Sequence, residues 1–396
     1  MLRDLQDLLR KKLGDGLVVD DFKTEKLLPP GENYASTIIK VDAVVRRNEK
    51  ADKEVLHAIA KMAPPSVYGR EMYQSPLTFR KEIGVYEHIL EAYKQLELES
   101  GFKEDETFDI GPKYYGSRLS LDPNAEFDDD AAILLENLMV RGYSCGVRSV
   151  GYDLDKTKLI LKSLARFHAL GIALKWKKPE EFEKLKIFMK PVDLKLDGSM
   201  MNSLKYMVEK IATDSVIGKY ASKIYALNFE DLFDTLMAEP EEPWGTIVHY
   251  DFWVNNVMLH VDENSKPDDV KFVDFQMYMY LSPMRDLIFF LFTSLDGDAR
   301  KDIDELIDFY YESFLAVLAR MECDVTKFPR EVLDKHLIED ARLELLHCLI
   351  MMKILTLDVD GEDKTNPSGI LEYGGNELYV IRLREIMLYY VEKGWL

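Results

Sequence analysis

Near residue 140 the hydrophobic pattern of this chain changes period. Upstream, after an N-terminal stretch with Leu2, Leu5, Leu9 and Leu13 at helical spacing, three runs rich in β-branched residues follow one another: LVVDDFKTEKLL at 17–28, STIIKVDAVVRR at 36–47 and VLHAIAKMAP at 55–64. The connections PPGENYAS and NEKADKE are short and polar, which predicts an antiparallel meander. Residues 79–98 switch to the helical period, with Phe79, Ile83, Tyr86, Leu90 and Tyr93 on one stripe, and predict a single helix. Two further strands are expected in KYYGSRLSL and AAILLENL, separated by the acidic DPNAEFDDD, whose Asp128, Asp129 and Asp130 read as a solvated loop.

Downstream of 141 the pattern is mainly helical. DLDKTKLILKSLARFHAL has Asp153 or Asp155 as its N-cap. The helical run is broken once, by PWGTIVHYDFWVNNVMLHV at 243–261, the turn DENSKPDD and the strand VKFVDFQM at 270–277, which together read as a hairpin. The DGEDKTNPSGILEYGG tract reads as a loop. The expectation is an α+β chain in two lobes, strand-rich over 1–140 and helical over 141–396.

Composition excludes some functions. A formal net charge of −20 argues against nucleic acid and against anionic membranes, both of which call for clustered cations. Cys145, Cys323 and Cys348 are too few and too scattered for a disulfide framework. The most apolar run, LIFFLF at 287–292, is too short to span a bilayer, and the N-terminus lacks the uninterrupted apolar stretch of a secretory signal. A cytoplasmic protein is expected.

The chemistry concentrates in HYDFWVNN at 249–256 and VDFQ at 273–276. A hairpin there sets Asn256 at the start of one strand and Asp274 at the end of its partner, so two hard oxygen ligands suited to Mg²⁺ share one end. Asp251, five residues before Asn256, reaches the same end without ligating. One carboxylate to take a hydroxyl proton, with an amide and a carboxylate for metal, is the layout of a kinase-type phosphoryl-transfer site using ATP. The same residues also fit a blander account: His249 as a satisfied core histidine, Asp251 as a loop cap, and Asn255 and Asn256 as turn residues.

The N-terminal lobe tests the kinase reading, which requires a strand lysine followed by a helix glutamate. Lys61 ends the third expected strand and Glu82 lies on the striped helix, in the required order. Separately, they fit a snorkelling lysine and a surface glutamate. GENYAS falls where a phosphate-covering loop belongs, and Asn33 or Ser36 there can contact phosphate, although one glycine replaces the usual three. LLENL, with Glu136 and Leu138, sits where backbone groups can meet an adenine edge.

At GENYAS, AKMAP, FRKEIGVYE, LLENL, LARFHAL, VHYDFWVNNVML, VKFVDFQ and SPMRDLIFFLFTSL the sequence resembles the ecdysteroid kinase-like family, related to aminoglycoside phosphotransferases and choline kinases. The resemblance implies a protein-kinase-like fold and ATP-dependent phosphorylation of a small-molecule hydroxyl. It implies Asp251 as catalytic base, Asn256 and Asp274 as magnesium ligands, and Lys61 with Glu82 as the nucleotide-positioning pair. Glu136 to Leu138 would be the adenine hinge, and His249 and Asp286 would brace the catalytic loop, with His168 packed in the core. The implied acceptor is an ecdysteroid or another hydroxylated lipophile or xenobiotic; a cationic amino alcohol, or a catalytically silent binding protein, are the alternatives. Met200, Met201, Tyr206, Met207, Phe309, Tyr310 and Tyr311 permit an apolar acceptor pocket and equally fit ordinary core. Two positions depart from the family's usual pattern. Tyr250 replaces the glycine of HGD, with substrate access the expected consequence, and Asn137 replaces the aspartate of EDL.

Overall fold

The structure, a computed structural model, describes residues 2–27, 36–191, 205, 207–227, 235–356 and 375–396. Asn33, Met200, Met201, Tyr206 and most of the DGEDKTNPSGILEYGG tract lie outside the described residues. The chain divides into two compact units, Met1–Ser144 with Met258–Met277, and Cys145–Val257 with Tyr278–Leu396. The elements, in chain order, are α1 (Leu5–Leu13), β1 (Val18–Lys26), β2 (Thr37–Arg46), β3 (Glu54–Met62), α2 (Val67–Met72), α3 (Ser75–Gly84), α4 (Leu90–Glu99), β4 (Tyr114–Arg118), β5 (Ala132–Glu136) and β6 (Ser144–Cys145). They continue with α5 (Leu154–Lys177), α6 (Pro179–Lys186), α7 (Ala221–Tyr225), β7 (Thr246–Val248), β8 (Val257–Val261), β9 (Pro267–Phe272), β10 (Met279–Leu281), α8 (Met284–Thr293), α9 (Ile303–Arg320), α10 (Arg330–Thr356) and α11 (Glu377–Glu392).

The first unit is built on a five-stranded antiparallel sheet in the order β1-β2-β3-β5-β4. Its strands form because apolar residues recur at every second position: Ile39, Val41, Ala43 and Val45 of β2 are all buried. One face is covered by α1, whose Leu5, Leu8 and Leu9 pack with Val41, Ala43, Ala58, Ala60 and Leu134. That packing requires Gly116, at φ 139°, since a Cβ there would stand 2.5 Å from the Leu8 carbonyl oxygen. Asp130 is not solvated, as the acidic loop predicted. It is 6% exposed and bound by the Arg3 guanidinium, while Asp128 accepts from Ser120 and from the Leu121 and Asp130 amides.

The helix expected over 79–98 is not uniform. A π-helical turn, Val85–Ile89, separates α3 from α4. The wider turn shifts the buried face, so Ile83 and Leu90 of the predicted stripe are only half-buried while Glu82, Val85 and Ile89 are buried. Tyr86 then meets Phe275 edge-on at 5.7 Å between centroids, which fixes the α3 region against the 275–277 turn that follows β9.

The second unit is mainly helical. Asp153 caps α5, its carboxylate accepting from the Lys156 amide at 3.0 Å, which decides between the two candidate caps. Helix α5 packs along α9 and under β7, and α8 packs on α10. All ten residues of α8 are buried, which explains the LIFFLF run as an interior helix. Strand β7 pairs with β10, an element the sequence pattern did not separate from the VDFQM turn. Tyr310 is fully buried in α9, and Tyr311 is half-buried and donates to the Phe328 carbonyl. Among the described residues no helix is long and apolar enough to cross a membrane, and the three cysteines are free thiols.

Candidate active site

In the first unit the site is built around Lys61, the penultimate residue of β3 and 4% exposed. Its ammonium donates to Glu82 Oε2 at 2.6 Å, Asp274 Oδ1 at 2.7 Å and Gln276 Oε1 at 3.3 Å, so all three N–H donors are used. Strand β3 ends there, α3 supplies Glu82, and the segment after β9 supplies Asp274 and Gln276. Burial pulls the lysine towards neutrality, but Asp274 and Glu82 outweigh it and its pKa stays above the ordinary lysine value. Glu82 is pushed up to about 7, first by burial and then by Asp274, against the pull of Lys61. Neither the snorkelling lysine nor the surface glutamate describes these residues. Gln276 is a third acceptor for the lysine. Asp274 adopts φ 63°, a backbone state that aims its carboxylate at Lys61 at a cost of roughly 1–2 kcal/mol.

The other expected groups of this unit are also placed. Ser36 is 7% exposed immediately before β2. Glu136 ends β5, its side chain meeting Arg141 at 3.3 Å and its backbone N–H donating to the Lys113 carbonyl. Leu138 is buried, and its carbonyl accepts from the Tyr143 amide. Asn137, in place of aspartate, caps the following 3₁₀ turn by accepting from the Met139 amide at 3.1 Å.

In the second unit the loop after β7 carries His249, Tyr250 and Asp251, and a 3₁₀ turn, Val254–Asn256, follows. Asn256 Nδ2 donates to the Asp251 carbonyl and to Asp251 Oδ2, both at 2.8 Å. That pair orients the carboxylate and leaves Asn256 Oδ1 as the atom able to act as a ligand. Asp286, 1% exposed at the start of α8, accepts the His249 N–H at 2.6 Å on Oδ2 and the Tyr250 N–H at 2.7 Å on Oδ1. His168 of α5 is more than a packed core residue: Nε2 lies 3.0 Å from Asp286 Oδ2 and Nδ1 lies 2.7 Å from the Tyr310 hydroxyl. His249 itself is fully buried against Phe252.

Tyr250 explains the glycine usual at its position. Its φ is 66°, in the left-handed region where a non-glycine residue costs roughly 1–2 kcal/mol. The residue is 7% exposed, beside Arg285 and His347. Arg285, 3% exposed, binds Glu344 through Nε at 2.5 Å and has Asp340 at 3.8 Å. Asp340 is pushed up to about 6, by burial first, with Arg285 only partly opposing. The folded chain therefore holds this proton more tightly than the unfolded chain, whose ordinary value is 3.8, and stability falls as pH rises through that window. Asp340→Asn removes the penalty. In urea titrations its stability relative to wild type should improve by up to about 3 kcal/mol between pH 4 and pH 7; a difference that stays flat across that range would contradict the assignment.

A five-stranded antiparallel sheet with a buried strand lysine paired to a helix glutamate, and a helical unit with a braced H-Y-D-x₄-N loop, define a protein-kinase-like phosphotransferase fold. The model of the ecdysteroid kinase-like family matches residues 30–323, and the chain belongs to that family. It is accordingly a phosphotransferase acting on hydroxyl groups of small molecules. No curated protein sequence matches it. Similar solved structures include an ethanolamine kinase from Plasmodium vivax, at 12% identity and TM-score 0.36, covering 93% of this chain and 84% of that one. They also include a spectinomycin phosphotransferase in complex with ADP and spectinomycin, at 12% identity and TM-score 0.40, covering 92% and 93%. A GDP complex of an aminoglycoside 2′-phosphotransferase aligns at 12% identity and TM-score 0.42, covering 98% and 96%. These likenesses are distant, and no residue role is carried over from them.

Proposed function

We propose that this protein is a cytoplasmic, ATP-dependent O-kinase that transfers the γ-phosphoryl group to a hydroxyl of an ecdysteroid or a similar hydroxylated lipophile. The observation that carries the reading is Lys61, a buried and charged amine held between Glu82 and Asp274 at 2.6 and 2.7 Å. A buried ion cluster is a poor way to gain stability, so its retention on a strand end points to a ligand with negative charge. The first unit takes the nucleotide, with the backbone of Glu136 to Leu138 against adenine and Ser36 near the phosphates. The second unit takes the acceptor.

Asp251 acts as the base. Its Oδ2, fixed by Asn256, orients the acceptor hydroxyl and accepts its proton as that oxygen bonds to the γ-phosphorus. The bond from the γ-phosphorus to the β–γ bridging oxygen breaks, and ADP leaves with that electron pair. Asp274 and Asn256 Oδ1 are hard oxygen donors of the kind Mg²⁺ selects. A metal ion held by donors of this kind would neutralise charge on the phosphates. Lys61 has no spare donor, so a phosphate must displace one acceptor, and Gln276, the most distant at 3.3 Å, is the one released. Asp286 and His168 hold the loop and do not react.

Arg285 favours a neutral acceptor. A cationic amino alcohol needs free carboxylates near Asp251, yet Glu344 is already paired with the buried Arg285 guanidinium. A neutral hydroxylated acceptor fits better. The test is ADP release from Mg²⁺-ATP across ecdysteroids, other sterols, choline, ethanolamine and aminoglycosides. Turnover with sterols alone supports the reading. Turnover with choline or an aminoglycoside replaces it, and nucleotide binding without turnover on any acceptor favours a silent binding protein. In calorimetric titrations Asp274→Ala should weaken ATP binding by 10-fold or more in the presence of Mg²⁺ and change it little in EDTA, on the order expected for a lost metal ligand. Equal affinities with Mg²⁺ would remove Asp274 from the metal site.

A further inference from the structure

Tyr250 stands where a glycine would be unstrained, and the chain grips it from two sides. Asp286 takes its backbone N–H at 2.7 Å, and Arg285, the preceding residue of α8, lays its guanidinium over the Tyr250 ring at 5.8 Å. The guanidinium is itself held. Glu344 of α10 binds Nε through Oε1, and its other oxygen, Oε2, lies 2.9 Å from His347 Nδ1. The His347 ring stacks on Phe289 at 3.9 Å and lies 5.9 Å from the Tyr250 ring. Arg285 also donates to the Leu236 carbonyl at 3.3 Å and faces Asp340 at 3.8 Å. Glu344 is 1% exposed, and burial alone would raise its pKa, but Arg285 and His347 bring it below the ordinary glutamate value, so it is an anion in the interior.

An ion pair buried this deeply contributes little net stability, and hydrophobic residues of the same volume would serve the core as well or better. What the pair does do is fix a planar cation in one orientation over one ring. The residue after Tyr250 is Asp251, so any rotation of the Tyr250 backbone out of its left-handed state re-aims the carboxylate.

We infer that Arg285 and Glu344 are positioning residues for phosphoryl transfer: they clamp the Tyr250 ring, hold the catalytic loop in a conformation that glycine would adopt without help, and so set the direction of Asp251. This rests on Asp251 being the base of the proposed transfer. It predicts a specific dependence, in which the clamp matters only while residue 250 has a side chain to clamp.

The experiment is a double-mutant cycle on the full chain, using Tyr250→Gly, Glu344→Gln and both together, with Mg²⁺-ATP and whichever acceptor the panel identifies. Glu344→Gln should lower kcat by about 10- to 100-fold, the range expected of a small misplacement of a reacting group, with KM for ATP within about twofold of wild type. In the Tyr250→Gly background the same substitution should cost less than about threefold in kcat. ADP-binding stoichiometry, measured alongside, counts folded molecules, so that a loss of folded protein is not read as a loss of kcat. Arg285→Lys, which keeps the charge but not the planar face, should behave as Glu344→Gln does. An equal loss in both backgrounds, or a change in KM with kcat preserved, would overturn the inference while leaving Asp251 as the base. Absence of transfer by the wild-type chain on every acceptor would instead remove the function on which it rests.

Discussion

Asp251→Asn should lower phosphoryl transfer by about 10²- to 10⁴-fold, the range for a positioned general base, while ADP binds as it does to wild type. The substitution keeps the shape of the side chain and the partner Asn256, whose Nδ2 is 2.8 Å from Asp251 Oδ2. It removes the one thing an amide cannot supply, a basic oxygen for the hydroxyl proton. The Lys61 cluster, which belongs to the other unit, is untouched, so nucleotide affinity is the internal control. A variant that kept wild-type turnover would show that the proton leaves by another route. A variant that lost ADP binding as well would show that Asp251 works through nucleotide placement.

Lys61→Ala should cost both function and stability. It strands Glu82, 1% exposed, and leaves Asp274 without its counter-ion. Breaking one side of a buried pair costs about 3–5 kcal/mol, far more than the pair contributes, because the remaining charge stays in the interior. Urea unfolding should therefore show a large loss for Lys61→Ala, much of it recovered in Lys61→Ala/Glu82→Gln, where the fully buried anion is gone and Asp274, its side chain 25% exposed, stays partly hydrated. ATP binding should be lost in both. Recovery of stability without recovery of binding separates the lysine's two roles. If Lys61→Ala unfolded like wild type, the cluster would not be the buried ion network described above.

Most of the sheet was legible in the sequence because period-two burial writes itself into β2 and β3, and because NEKADKE marks the turn between them. Lys61 and Glu82 were found by order alone, a strand lysine followed by a helix glutamate. The π-helical turn at Val85–Ile89 was not, since the apolar residues of 79–98 fit an unbroken helix equally well and only tertiary packing selects the wider turn. Strand β10 has three residues, too few for a periodic signal. Arg285 and Glu344 lie 59 residues apart and each reads as a surface charge on its own helix. One sign of their role was present: a tyrosine at a position usually held by glycine implies a positive φ, and a bulky residue held there needs a partner to hold it. The sequence supplied the position but no means of naming the partner.

The central claim is that Asp251 directs phosphoryl transfer from ATP to a hydroxyl. It is tested most directly by mass spectrometry of acceptor mixtures incubated with Mg²⁺-ATP and either the wild-type chain or Asp251→Asn. The account predicts a hydroxylated lipophile carrying one added phosphoryl group with wild type and none with the variant. Phosphorylated product of equal yield from both proteins would contradict it.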